Sequence, residues 1–181
     1  IVAGEKDMYL RTEVGGAYKY DYEKKQWVQL FGFLTEKDRG LLSVKGIAID
    51  PTDDNTAYFL CGCAYFSDAR TVIFKTTDGG KTFEEYDVTK LIQVHGNGDG
   101  RECIEPIAID PDNTDTIYAG GDVTAGSSAL IKSTDGGKTW KPVDGYDALG
   151  LFPGELKYPM WTEHMVRGTE PSKEYNQQNG I

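Results

Sequence analysis

Apolar residues along this chain come in short runs, and each run is closed by glycine, proline, asparagine or aspartate. Runs this short, rich in Ile, Val, Tyr and Phe, predict strands rather than helices. In the middle of the chain the pattern predicts strands over 47–50, 57–61, 72–76 and 82–86. The pattern then repeats. Gly46-Ile47-Ala48-Ile49-Asp50-Pro51 matches Pro106-Ile107-Ala108-Ile109-Asp110-Pro111, and each is followed by a polar turn, Thr52-Asp53-Asp54-Asn55 or Asp112-Asn113-Thr114-Asp115. A tyrosine, Tyr58 or Tyr118, stands eleven residues after the first isoleucine in both copies. A loop of variable length follows, then an apolar strand ending in Lys75 or Lys132.

Both of those strands run into one turn sequence. It reads Thr76-Thr77-Asp78-Gly79-Gly80-Lys81-Thr82-Phe83 in one copy and Ser133-Thr134-Asp135-Gly136-Gly137-Lys138-Thr139-Trp140 in the other. Gly-Gly supplies the positive φ angles that a tight hairpin needs. The aspartate accepts bonds from turn amides that otherwise have no partner, the threonine hydroxyl closes the loop, and the aromatic ring covers the hairpin. This is the Asp-box pattern, a structural staple rather than a chemical site. A worn third copy occupies the N-terminus, where Lys19 to Trp27 spans eight residues, as do Lys75 to Phe83 and Lys132 to Trp140. The three lysines lie 56 and 57 residues apart, and in the worn copy Tyr22-Glu23-Lys24 replaces the glycine turn.

Four short strands per unit of that length is the signature of a propeller blade. The expected fold is therefore all-β: about three four-stranded antiparallel blades, with units over roughly 1–45, 46–105 and 106–145 and an irregular loop or insertion over 146–181. Even a four-bladed ring of such units needs about 230 residues, more than the 181 present. The expectation is a partial propeller, completed by further blades or by another chain.

Charge and composition then narrow the partners. A net charge of −10 excludes a nucleic-acid backbone, which demands a basic face, and leaves a neutral ligand compatible. No apolar run has the length of a membrane span. Ile1-Val2-Ala3-Gly4-Glu5-Lys6-Asp7 lacks the basic start and apolar core of a secretory leader, so the chain is expected to begin downstream of one. Cys61 and Cys63 share a face if their stretch is a strand, and either a pairing with Cys103 or three buried free thiols is compatible with the spacing. His95 and His164 lack metal-ligand spacing, and Gly96-Asn97-Gly98-Asp99-Gly100 lacks the Lys-Ser/Thr ending of a phosphate loop. Neither a metal nor a cofactor is expected. The arginines Arg11, Arg39, Arg70, Arg101 and Arg167 are scattered, unlike the cluster a sialidase needs for a sugar carboxylate.

One stretch has no counterpart in the later units: Tyr9-Leu10-Arg11-Thr12-Glu13-Val14-Gly15-Gly16-Ala17-Tyr18-Lys19-Tyr20. It puts a carboxylate on an exposed bend between two short strands. It resembles the N-terminal motif of glycoside hydrolase family 74, the xyloglucanases, whose usual form is Arg-Thr-Asp-hydrophobic-Gly-Gly-Ala-Tyr-Arg. The resemblance continues through Ala48-Ile49-Asp50-Pro51, both Asp-boxes and Gly100-Arg101-Glu102-Cys103-Ile104-Glu105, covering about residues 1–145.

The resemblance implies a secreted, extracellular enzyme, or a portion of one, that hydrolyses or binds a β-1,4-glucan chain of the xyloglucan type. In that family two propellers face each other across a cleft and two carboxylates act with inversion. Inversion sets those carboxyls about 6.5–9.5 Å apart so that a water fits between them. Glu13 takes the position of the family's base, an aspartate, and the catalytic acid is expected outside this chain. Three readings of Glu13 stand side by side: a working base on a longer arm, a relic in a non-catalytic relative, and a surface salt-bridge partner. Arg11, Gly15, Gly16, Tyr18, Arg101 and Glu105 are the implied substrate-binding residues, with Tyr18, Trp27 and Tyr65 as stacking platforms for an oligosaccharide or polysaccharide. Tyr158 and Trp161 offer a further platform or pack on a blade edge. The rival from another class is a non-catalytic Asp-box propeller that serves as a binding or assembly scaffold.

Overall fold

A computed structural model describes residues 1–63, 70–94, 106–123 and 130–143. The predicted short strands form three successive four-stranded antiparallel sheets, each ordered as in the sequence. The first holds β1 (Val2–Ala3), β2 (Met8–Arg11), β3 (Ala17–Asp21) and β4 (Gln26–Gln29). The second holds β5 (Val44–Asp50), β6 (Asp53–Gly62), β7 (Thr71–Thr76) and β8 (Glu84–Asp87). A short β9 (Ile92–Gln93) leads on to the third, made of β10 (Ile107–Ile109), β11 (Ile117–Gly120), β13 (Leu130–Ser133) and β14 (Lys141–Pro142). Between β11 and β13, β12 (Asp122–Val123) turns aside to pair with β9.

The sheets pack face to face, which explains the hydrophobic pattern. One core layer joins Tyr9 and Ala17 of the first sheet to Ile47, Phe59, Val72 and Phe74 of the second. Phe31 is its hub, with its ring 5.6 Å from that of Phe59, 5.2 Å from Phe74 and 5.4 Å from Phe83. The other layer joins Ala48, Tyr58, Leu60 and Ile73, on the opposite face of the second sheet, to Ile107, Ile117, Ala119 and Ile131 of the third. The second sheet is thus covered on both sides, so β6 and β7 carry unbroken buried runs instead of strict alternation. The third sheet buries Ile107, Ile117 and Ile131 on one face and leaves Ala108 exposed on the other.

Three local features depart from the sequence-based expectation. A 3-10 helix, Glu36–Leu42, links the first two sheets. It starts at a capping box in which Asp38 Oδ2 accepts from the Thr35 amide at 3.1 Å and from its hydroxyl at 2.8 Å. Thr82 and Phe83, expected at the start of a strand, belong to the turn, and β8 begins only at Glu84. In the worn copy the left-handed position falls to Lys25, at φ 53°, and Asp21 accepts the Lys24 amide at 2.9 Å. Cys61 and Cys63 are buried free thiols. Cys103 lies outside the described residues, as do His95, His164, Gly96–Gly100, Tyr158 and Trp161.

Candidate functional site

Glu13 stands on the bend between β2 and β3, and the backbone around it is pinned on both sides. Thr12 closes the bend: its amide donates to the Gly16 carbonyl at 3.0 Å, its hydroxyl donates to the same carbonyl at 2.9 Å, and that hydroxyl accepts the Gly15 amide at 2.7 Å. Two more bonds tie the bend to the second sheet. The Gly16 amide donates to Leu42 O at 2.7 Å, at the end of the 3-10 helix, and the Val44 amide donates to Thr12 O at 3.0 Å. Gly16 needs to be glycine, because its φ of +80° is left-handed and a Cβ there would press on Leu42 at 3.3 Å and Phe31 at 3.4 Å.

The result is a rigid platform with an exposed carboxylate. Glu13 and Val14 are exposed while Gly16 and Ala17 beneath them are buried. Arg11 closes β2 opposite Ala17, and Tyr18 pairs with Leu10 and Gln29. A Cβ on Gly15 would lie 3.5 Å from the Tyr18 hydroxyl, so tyrosine and glycine line one side of the bend. The bend thus carries Glu13, Gly15 and Gly16, with Arg11 at its entry and Tyr18 just past its exit. Arg101 and Glu105 lie outside the described residues, and so does Tyr65. Trp27 is not at this site. It pairs with Tyr20 across β3 and β4, at the far end of the hairpin, and packs edge-on against that ring at 5.2 Å.

The strand directions give the bend its surroundings. The described chain ends at Cys63 and Arg70, at Val94 and Pro106, and at Val123 and Leu130 lie at the same sheet ends as Glu13. The Asp-Gly-Gly turns lie at the opposite ends. Arg70, one of the scattered arginines, has a structural role at the Glu13 end. Its guanidinium meets Glu85, Asp87 at 3.3 Å and Asp38 at 3.8 Å.

The two Asp-Gly-Gly turns have the same internal wiring. Asp78 Oδ1 accepts the amides of Lys81 and Thr82, both at 2.9 Å, and its Oδ2 accepts the Thr82 hydroxyl at 2.7 Å. Asp135 Oδ1 accepts the Thr139 amide at 2.9 Å, and its Oδ2 accepts the Thr139 hydroxyl at 2.6 Å. Every one of these bonds favours the charged form. The Thr82 amide and hydroxyl hold Asp78 far below the usual carboxylate range, and the Thr139 hydroxyl and amide hold Asp135 at about 2. Such carboxylates are poor bases at neutral pH, so the turns are fasteners. The Trp140 indole completes its turn by donating to Gly137 O at 2.8 Å.

The sequence signal missed at this site was the Thr35–Asp38 capping box, which announces the helix whose Leu42 carbonyl anchors Gly16. Among the described residues no helix is long and apolar enough to cross a membrane.

No family model matches the chain. Individual relatives do. It is 33% identical over 152 residues to the xyloglucanase Xgh74A of Acetivibrio thermocellus, covering 82% of this chain and 17% of that protein. It is 30% identical over 139 residues to the oligoxyloglucan-reducing end-specific xyloglucanase of Emericella nidulans, covering 77% of this chain and 16% of the relative. Among solved structures, the GH74 enzyme of Niastella koreensis superposes with a TM-score of 0.70 at 40% identity, over 76% of this chain and 20% of that one. The GH74 xyloglucanase of Xanthomonas campestris gives 0.67 at 28% identity, over 75% of this chain and 18% of its own. The chain thus spans about a sixth to a fifth of the length of these proteins. Over about three quarters of its length, this chain belongs to glycoside hydrolase family 74 and forms propeller blades of that family's kind.

Proposed function

We propose that this chain forms part of an extracellular hydrolase acting on xyloglucan-type β-1,4-glucans, with Glu13 as the general base of an inverting mechanism. The observation that carries the reading is the Arg11–Tyr18 bend, which is braced by five backbone and hydroxyl bonds and still leaves Glu13 exposed. Preorganisation of this kind is what a base needs to direct a water at a sugar carbon. Arg11 at the entry to the bend and Tyr18 just past its exit serve as sugar contacts on either side of it. Arg101 and Glu105, in the segment that leaves and re-enters the described chain at the same sheet ends, supply hydrogen bonds to sugar hydroxyls. The acid partner stands on a part of the protein beyond these residues, and further blades complete the ring.

The test is hydrolysis of xyloglucan by the full-length protein. Glu13→Gln should lower turnover by about 10²–10⁴-fold, the usual contribution of a general base, and leave polysaccharide binding nearly unchanged. Glu13→Asp should keep or raise activity, since it restores the family's shorter side chain. One observation favours a second reading, a non-catalytic binding scaffold: the extra methylene at Glu13, because a misplacement of order 1 Å costs about a hundredfold in rate. An inactive wild type that gains nothing from Glu13→Asp would establish the scaffold.

A further inference from the structure

Each of the three sheets carries a tyrosine directly opposite a lysine on neighbouring strands: Tyr9 with Lys19, Tyr58 with Lys75, and Tyr118 with Lys132. In all three the ammonium lies over the ring, 5.5, 5.4 and 5.1 Å from its centre. In the first two sheets the pair reaches across to the turns of the sheet that follows. Tyr58 Oη and Lys75 Nζ both donate to the carbonyl of Gly136, at 3.0 and 2.8 Å. Tyr9 Oη donates to Asp54 O at 3.1 Å, while Lys19 Nζ, ion-paired with Asp7 at 2.7 Å, lies beside the Gly79 turn, 2.7 Å from where a Cβ of Gly79 would lie. Asp54 and Gly79 belong to one joined corner, since the Gly79 amide donates to Asn55 O at 3.0 Å, as the Gly136 amide does to Asp115 O at 2.9 Å.

The pair is therefore an inter-sheet latch. The turn carbonyl is not used within its own hairpin, and a buried carbonyl needs a donor. Between the second and third sheets the latch supplies one neutral and one charged donor to Gly136 O, and the ring below stabilises the ammonium as it loses water; between the first and second only the tyrosine donates across.

Among the described residues the third pair has nothing to hold. Neither the Tyr118 hydroxyl nor the Lys132 ammonium has a hydrogen-bond partner among them, and both residues remain half-exposed. Beside them Lys132, Thr134, Thr139, Lys141, Pro142 and Val143 line a cleft of about 260 Å³. On the second sheet the same place is filled by the turn of the third, with Tyr58 against Gly137 and Trp140 packed on the shared core.

The geometry points to Tyr118 and Lys132 as the docking latch for the Gly-Gly turn of a fourth repeat unit in the full-length polypeptide, whose turn carbonyl takes both donors. A continuing unit is the occupant because the second and third sheets are each held by the one before in sequence, and relatives of the chain are about four to five times its length. The cleft is also lined by two lysines, which suit the carbonyl and carboxylate of an Asp-Gly-Gly turn.

In the full-length protein, Tyr118→Phe and Lys132→Met should each lower the thermal midpoint by several degrees, comparably to Tyr58→Phe and Lys75→Met. Because some variants will fold poorly, a second measurement uses wild type: acetylation of Lys132 with an amine-reactive ester should be as slow as that of Lys75 and speed up only on unfolding. A fast-reacting Lys132, or third-sheet variants as stable as wild type while the second-sheet variants lose stability, would overturn the latch. If Lys132→Met instead turns a dimer into an equally stable monomer, the occupant is a second copy and the fourth-unit assignment is wrong. None of these readouts depends on hydrolysis, so an inactive protein leaves the test intact.

Discussion

Gly137→Ala isolates the reason for the second glycine of the turn. Gly137 sits at φ +87°, and a Cβ built there would meet Tyr58 Cε1 at 2.8 Å. Tyr58 cannot move aside: it is 2% exposed, and its hydroxyl is bound to the Gly136 carbonyl. Two costs therefore add, about 1–2 kcal/mol for a left-handed non-glycine residue and about 1–3 kcal/mol for overpacking a rigid neighbour. The expected loss is about 2–5 kcal/mol. Gly136→Ala is the control. Its φ of +68° incurs the first cost, but a Cβ there is tight only against the ends of flexible side chains, Asp115 Oδ1 at 3.2 Å and Lys75 Nζ at 3.3 Å, and meets the Tyr58 hydroxyl at an ordinary 3.9 Å. Its loss should stay near 1–2 kcal/mol, roughly the dihedral cost alone. Urea unfolding followed by tryptophan fluorescence measures both as shifts in midpoint at constant slope. A Gly136 variant as unstable as the Gly137 variant would refute the argument, because the contact with Tyr58 would then count for nothing.

Other residues give independent checks. The carboxyl of Asp135 is depressed to about 2, so its stabilisation is fully present above the unfolded value near ~4 and is lost as pH falls toward 2. Thermal midpoints of wild type should therefore drop across that window, and Asp135→Asn should flatten the drop while lowering the midpoint at neutral pH. Thr71→Val removes the buried hydroxyl that accepts the Val94 amide at 3.1 Å, and calorimetry should find a loss of about 1–3 kcal/mol. Burial pushes the Cys61 thiol well above its ordinary pKa, and Cys63 is 3% exposed. Thiol reagents should label neither in the native protein and both in denaturant, as mass spectrometry of the intact chain would show.

Sequence alone determined the repeat, the strand content and the turns, because each of these is local. Gly-Gly sets a backbone angle, the aspartate just before it satisfies amides within reach, and a short apolar run bounded by turn formers has few alternatives to a strand. The Asp78 and Asp135 turns, and the bend carrying Glu13, were legible for that reason. The tertiary structure decided what touches what. Val72 and Phe74 face one neighbouring sheet and Ile73 the other, a division invisible in an unbroken apolar run. It also moved Trp27 away from the candidate site: an aromatic residue reads the same in sequence at either end of a hairpin, and only the pairing with Tyr20 places it. The Leu42 carbonyl that steadies Gly16 arrives from 26 residues away, on a helix too short to show periodicity. Nothing in the spacing of Tyr58, Lys75 and Gly136 foretold that two donors would share one carbonyl across sheets. Contacts of that kind depend on how rigid faces settle against each other, and only packing sets that.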